Sequence, residues 1–479
     1  MWLILGLVSC LLIHVELQSQ LYPPVQPGFN PNNLYYSDRF NVLPLQNQQS
    51  QSLPSQDVLD SIFNSPLKKK VDVEFEKSKE VSRPQNGQAA QIAPSKQTSE
   101  GPALQPTVPK GYNGLLYSVT NFGLNFLNNV NPGNNVVVSP YSITTLLALL
   151  QQGASGQTEK ELSSVLNMPP PASAAAYAEI SNDIKNRRTR NILRTANNVF
   201  VSNNFILDSE FKRIAENNFD SKITPAVFGN PDNAARQINN WVSKETNKKI
   251  DKIISADAID TATQAVLVNA IYFKGIWDVP FRPDATITRD FFLNNGQTKP
   301  LQFMRTRQHI RTGTDPATNS FVVMLPFEHN QYFMMFIMPE EGISRALNTL
   351  TSEYLLSYFG FPLVDIELEI PKFSIKAETD LVSLLRNMGL PAMFGPYAEL
   401  IKLGSFRNQS PRISSAVHSA VLSIDEQGGS AAAATSFAAV ALSFDQTPNY
   451  KLNKPFIAVL WDTQSSLPLF MAKIEEPLQ

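Results

Sequence analysis

The residue types that most often carry catalysis are present in this chain, but not in catalytic spacing. Its four histidines, His14, His309, His329 and His418, fall in no metal-ligand pattern, and the sequence holds no G-x-S-x-G elbow, P-loop or H-E-x-x-H motif. The single cysteine, Cys10, lies in an apolar N-terminal segment. Once that segment is removed there is no thiol nucleophile, no disulfide framework and no Cys-ligated metal. Neither an enzyme nor a metal site is expected. The stretch that does carry chemical meaning is residues 424–443, I-D-E-Q-G-G-S-A-A-A-A-T-S-F-A-A-V-A-L-S. Small uncharged side chains make a poor exposed loop and a good buried strand. This composition suits a segment that is first flexible and later absorbed into a sheet. From Gln427 to Tyr450 there is no Lys or Arg.

Such a segment needs a large fold around it. The chain has 479 residues, a formal net charge of −2 and 43% hydrophobic residues, an ordinary soluble profile with no electrostatic case for nucleic acid or a membrane. Residues 1–19 hold a short apolar core too brief to span a bilayer and read as a signal peptide, so a secreted, extracellular protein is expected. Residues 20–107 are rich in Gln, Pro, Asn and Ser and read as a disordered extension, because so little apolar surface cannot offset the entropy of ordering. Within it, Lys68, Lys69 and Lys70 mark either a solvated charged stretch or a processing site. Residues 108–479 read as the globular part.

Residues 115–127 have the apolar spacing of a helix. The run 136–138 is stopped by Ser139-Pro140, a second helix is expected over 143–150, and Gly153 and Gly156 end it. Residues 266–273 and 332–338 read as buried strands, and 364–373 alternates as one half-exposed strand. Helices come mainly early and strands late, without βαβ alternation, which points to an α+β domain with antiparallel or mixed sheets.

Several segments appear in an order that is itself informative. Asn135 begins N-V-V-V-S-P-Y-S-I, and Gly153 begins G-A-S-G-Q-T-E-K-E-L. Ala196-Asn197-Asn198-Val199-Phe200-Val201 and Ile238-Asn239-Asn240-Trp241-Val242 follow, and Val268 begins V-N-A-I-Y-F-K-G-I-W. Leu325-Pro326-Phe327, Pro371-Lys372-Phe373, Lys454-Pro455-Phe456 and a block that starts P-L-F-M-A-K at Pro468 complete the series. Over residues 109–477 the chain resembles the serpin family. The resemblance implies the serpin fold, with three β-sheets, eight or nine helices and an exposed reactive-centre loop. It also implies a monomer that inhibits a serine protease by offering that loop as a substrate.

Counting along the family's loop places the reactive bond between Leu442 and Ser443, with Phe444–Asp445 as a second candidate. Both choices direct the loop to a protease with an apolar S1 pocket, chymotrypsin-like or elastase-like. The hinge would comprise Glu426, Gly428, Gly429, Ala431, Ala432, Ala433, Ala434 and Thr435. Gly429 stands where inhibitory members usually carry Thr or Ser, and Ser430 where many carry Glu, so a non-inhibitory carrier or binding protein is the alternative. The resemblance places Ser139, Ser142, Asn269 and His418 beneath the strands that must open, and Trp277 where insertion starts. Lys185, Arg187, Arg188, Arg190 and Arg194 form a basic run that reads as a solvated surface or, as in some members, a site for a heparin-like polyanion. Asn408-Gln409-Ser410 is a glycosylation sequon followed by Pro411. The extension and the expected secretion resemble arthropod serpins that regulate immune protease cascades.

Overall fold

The turn at Ser139-Pro140 sets the first boundary of the fold. The computed structural model describes residues 113–131, 133–428 and 447–478. Helix α1 (Asn113–Asn129) leads to β1 (Val136–Val138), three buried valines. Ser139 then caps α2 (Pro140–Gly153): its hydroxyl accepts from the Ser142 amide, and Pro140 occupies the first turn, where its missing N–H costs nothing. Every residue of α2 except Gln152 is buried, so this is a central helix rather than an amphipathic one. Then come α3 (Gly156–Leu166), α4 (Pro170–Asn186), β2 (Ile192–Ser202), β3 (Phe205–Leu207), α5 (Ser209–Asn218), β4 (Lys222–Ala226), α6 (Pro231–Glu245) and β5 (Ala265–Lys274). The strand-rich remainder runs β6 (Ile287–Phe292), β7 (Thr298–Asp315), β8 (Ser320–Pro326), β9 (Tyr332–Pro339), α7 (Ile343–Thr349), α8 (Ser352–Ser357), β10 (Leu363–Pro371), β11 (Phe373–Asp380), α9 (Leu381–Asn387), β12 (Gly404–Phe406), β13 (Ser415–Ile424), β14 (Asn449–Lys451), β15 (Phe456–Asp462) and β16 (Leu467–Ile474).

Among the described residues there are nine α-helices and three sheets, the α+β architecture that the resemblance implies. The sheet that matters most has five strands in the order β11-β13-β5-β2-β4. A second sheet has nine strands, held together by the 18-residue β7, which pairs in turn with β6, β10 and β8. A small sheet pairs β12 with β3. The strand expected over 364–373 is in fact two. It breaks at Lys372, with β10 in the nine-stranded sheet and β11 in the five-stranded one.

Both faces of β5 are buried. Leu267, Ile271 and Phe273 enter the main core with α2. Val266, Val268, Ala270 and Tyr272 enter a second core under α6, with Ile238, Val242 and Ile253. A strand covered on both faces is expected to read as a continuous apolar run, and Asn269 is its polar exception. Among the described residues no helix is long and apolar enough to cross a membrane.

Candidate functional site

Strands β5 and β13 are parallel neighbours, in register from Val266↔Ser415 to Tyr272↔Val421. Side-chain alternation turns Asn269 and His418, which lie opposite each other, toward α2. His418 Nδ1 lies 2.5 Å from Asn269 Oδ1, and the Ser139 amide donates to His418 Nε2 at 3.3 Å. An Nε2 that accepts leaves the ring proton on Nδ1, where it donates to Asn269. The Asn269 amide group donates to Ser142 Oγ at 2.6 Å and Asn197 Oδ1 at 2.5 Å, and the Ser142 hydroxyl donates to Asn197 at 3.0 Å. Ser139, Ser142, Asn269 and His418 therefore meet in one buried cluster, with the half-buried Asn197 at its edge as a fifth member. Asn197 lies in one of the segments quoted above, but nothing in its local sequence distinguishes it from Asn198. His418 is only 1% exposed, and burial pushes its imidazole down to about 3, so the ring is neutral at physiological pH.

The seam does not continue to the ends of its strands. Pairing between β5 and β13 stops at Tyr272↔Val421, while β5 runs on to Lys274 against β2 and β13 runs on to Ile424 against β11. The two strands part at their C-terminal ends, where the chain leaves β13 as Asp425-Glu426-Gln427-Gly428. Trp277 spans this end. Its indole donates to the Asp425 carbonyl at 2.9 Å, and its amide donates to the Gln427 carbonyl at 3.0 Å. The ring is fixed by stacking on Phe327, with centroids 4.3 Å apart and planes 11° from parallel. The Phe281 amide donates to the Glu426 carbonyl at 2.8 Å.

The Glu426 carboxylate is held by Lys372 at 2.9 Å and by the Thr286 hydroxyl at 2.8 Å. Burial alone would raise its pKa, but the bonds from Lys372 and Thr286 outweigh burial and hold it below the usual carboxylate value. Lys372 sits at the break between β10 and β11, so the change of sheet aims its ammonium at the base of the loop. Gly428 has φ of +115°, and a Cβ there would lie 2.8 Å from the Gly275 carbonyl and 2.9 Å from the Trp277 amide. Only glycine fits this position. Lys372, Thr286, Phe281 and Gly275 were not assigned a role from sequence, because each acquires one only through its distant partner.

Leu442, Ser443, Phe444, Asp445, Gly429, Ala431, Ala432, Ala433, Ala434 and Thr435 lie outside the described residues, as do the segments 1–19 and 20–107.

The basic run does not form a single surface. Lys185 pairs with Asp220 at 2.7 Å, Arg190 pairs with Glu328, and Arg188 and Arg194 are exposed. Arg187 is turned inward, its side chain 4% exposed, with Nη1 2.8 Å from the fully buried Asp462 carboxylate and 3.5 Å from the Tyr332 hydroxyl. Burial works against its charge, but Asp462 and Tyr332 outweigh it and the guanidinium pKa is raised. Arg187 is thus removed from any solvated or polyanion-facing surface. Asn408 is exposed in a two-residue hairpin turn, with positive φ at Arg407 and Asn408, and the Ser410 hydroxyl accepts from the Leu400 amide at 2.8 Å.

Comparison with known proteins agrees with this architecture. The family model described as Serpin (serine protease inhibitor) matches residues 117–477. Antichymotrypsin-2 of Bombyx mori is 31% identical over 337 residues, covering 69% of this chain and 89% of that protein. The crystal structure of the Manduca sexta serine protease inhibitor (serpin-12) is 45% identical, covers 75% of this chain and 98% of its own, and superposes with a TM-score of 0.70. Human thyroxine-binding globulin, solved in complex with thyroxine, shares the fold at 23% identity, covering 78% of this chain and all of its own, with a TM-score of 0.72. The chain belongs to the serpin family.

Proposed function

We propose that this protein is a secreted suicide inhibitor of a serine protease with an apolar S1 pocket, chymotrypsin-like or elastase-like, acting in an extracellular immune cascade. The observation that carries the reading is the parting of β5 and β13 beside Trp277, at the point where Glu426–Gly428 leads into the small-residue segment. The target's serine attacks the carbonyl of Leu442, the Leu442–Ser443 bond breaks, and the amine of Ser443 leaves. The acyl-enzyme ester remains on Leu442. The freed segment enters between β5 and β13 from the open end, with Gly429, Ala431, Ala433, Thr435 and Phe437 on one face. None of these carries a charge that would have to be desolvated.

The inhibitor supplies no catalytic group. It wins a race between insertion and hydrolysis, because a misplacement of about 1 Å in the protease's active site already costs on the order of a hundredfold in rate. Relatives named antichymotrypsin and leukocyte elastase inhibitor support the specificity class. The second reading, a carrier, is favoured by Gly429 and by the shared fold of thyroxine-binding globulin. Incubation with chymotrypsin and with an elastase separates the two. Inhibition yields an adduct that survives SDS and a released peptide beginning at Ser443, whereas quantitative loop cleavage beside a fully active protease refutes it.

A further inference from the structure

β14 is the first described strand after residues 429–446, and it pairs in parallel with β10, which pairs in turn with β7. The register sets Arg305, Glu369 and Lys451 side by side, with Arg307, Glu367 and Asn449 in the next row. Residues two apart on a strand share a face, so both rows lie on one face of the sheet. Arg289 of β6 reaches the same face, because its Nε lies 3.2 Å from the Glu369 carboxylate. The acids there are already engaged. Glu369 is 2% exposed beneath Arg289 and Arg305, and the half-buried Glu367 accepts from the Asn449 side chain at 3.1 Å. In the row beyond, His309 pairs with Asp365 at 3.2 Å. The cations stay in contact with water: Arg289 is 45% and Arg305 41% exposed, Lys451 is exposed and Arg307 half-buried. Arg307 and Lys451 form no ion pair among the described residues.

We propose that this face is a second contact for the target protease, recognising acidic side chains on the rim of its active-site cleft. The inference rests on the inhibitory reading above and adds to it a partner chemistry that the loop cannot supply, since no Lys or Arg lies between Gln427 and Tyr450. The whole chain has a formal net charge of −2, so the positive field belongs to this face and not to the molecule at large. Leu442 lies seven residues before Asn449, and that length of chain spans at most about 25 Å. A protease domain of about 200 residues has a radius of gyration of roughly 16 Å. An enzyme seated on the Leu442–Ser443 bond therefore overhangs β14 and β10. Exposed charges at an interface rim act mainly on the rate of encounter. The face thus selects, by the acidity of the rim, among proteases that share an apolar S1 pocket.

The test uses the full chain and chymotrypsin, active-site titrated before and after succinylation, which turns surface ammonium groups into carboxylates. At low salt the second-order rate constant for SDS-stable adduct formation is expected to be about tenfold higher with the succinylated enzyme. That advantage is expected to shrink toward unity in about 0.5 M chloride, which screens exposed charges. Arg307→Ala combined with Lys451→Ala removes two cations without breaking an ion pair, and is expected to erase most of the advantage. Arg289 and Arg305 are left in place, because removing either strands the buried Glu369 carboxylate. Lys160→Ala, at an exposed lysine on α3, is expected to leave the advantage intact. Equal rates for the two enzymes, or an undiminished advantage in the double variant or at high salt, overturn the proposal while the inhibitory reading stands. No adduct with either enzyme overturns the inhibitory reading, and this inference with it.

Discussion

From Ser415 to Val421 the β5–β13 seam is closed by a regular ladder over a polar cluster; past Val421 that ladder ends, and the segment leaving β13 bonds to Trp277, Phe281, Lys372 and Thr286. The first region is held by bonds that water cannot replace, since His418, Asn269 and Ser142 are buried and each is satisfied by another member of the cluster. The second is held by a few contacts on a segment that continues into the loop. A strand that adds to this sheet meets its lowest barrier at the open end and its highest at the cluster. On the proposed function the native state would be metastable in a kinetic sense, protected by the cost of separating the closed half.

The largest way to break this contrast is to remove the lock. His418→Ala leaves the Asn269 carbonyl and the Ser139 amide without partners and opens a cavity. It is expected to cost on the order of 4 kcal/mol and to let the sheet open without a protease. Thermal unfolding and native gels check this; a variant that melts like the parent contradicts it.

Acid acts on the same group more gently. The His418 pKa is depressed in the folded state from an ordinary 6.5 to about 3. The folded protein therefore binds this proton less readily than the unfolded chain. The stabilisation is complete above about pH 6.5 and is lost as pH falls toward 3, by about 1.4 kcal/mol per unit at most. Glu426, also depressed, adds its loss only below its ordinary 4.5. A Tm that holds steady from pH 7 to 5 and falls only below 4.5 would assign the acid response to Glu426 alone.

The smallest effect on stability comes from the open end. Gly428→Val forces a side chain into positive φ against Gly275 and Trp277, and is expected to cost on the order of 2 kcal/mol. Its signature is regional. Hydrogen exchange is expected to quicken at Trp277 and Phe281, whose amides bond the hinge, and to stay slow from Val268 to Ile271. Equal quickening in both regions would erase the distinction.

The parts legible in the sequence were those with local causes. Apolar runs marked β5 and β9, and Ser139-Pro140 marked the end of β1, although the helix expected from Ile143 begins at Pro140 itself. The membership of the buried cluster came from family resemblance, since one Asn and one His in apolar strands do not announce a shared hydrogen bond. Two features escaped. The alternation of residues 364–373 runs unbroken through Lys372, so the change of sheet leaves no periodic trace. Arg187 looked like one charge among five because its partner, Asp462, lies far along the chain in β15.

The most direct test of the central claim is the thermal stability of the intact full-length chain against the same chain cleaved once within residues 429–446 and freed of protease. If the segment enters between β5 and β13, the cleaved protein gains a central strand and unfolds at a clearly higher temperature. A cleaved protein that unfolds at the same or a lower temperature contradicts the account.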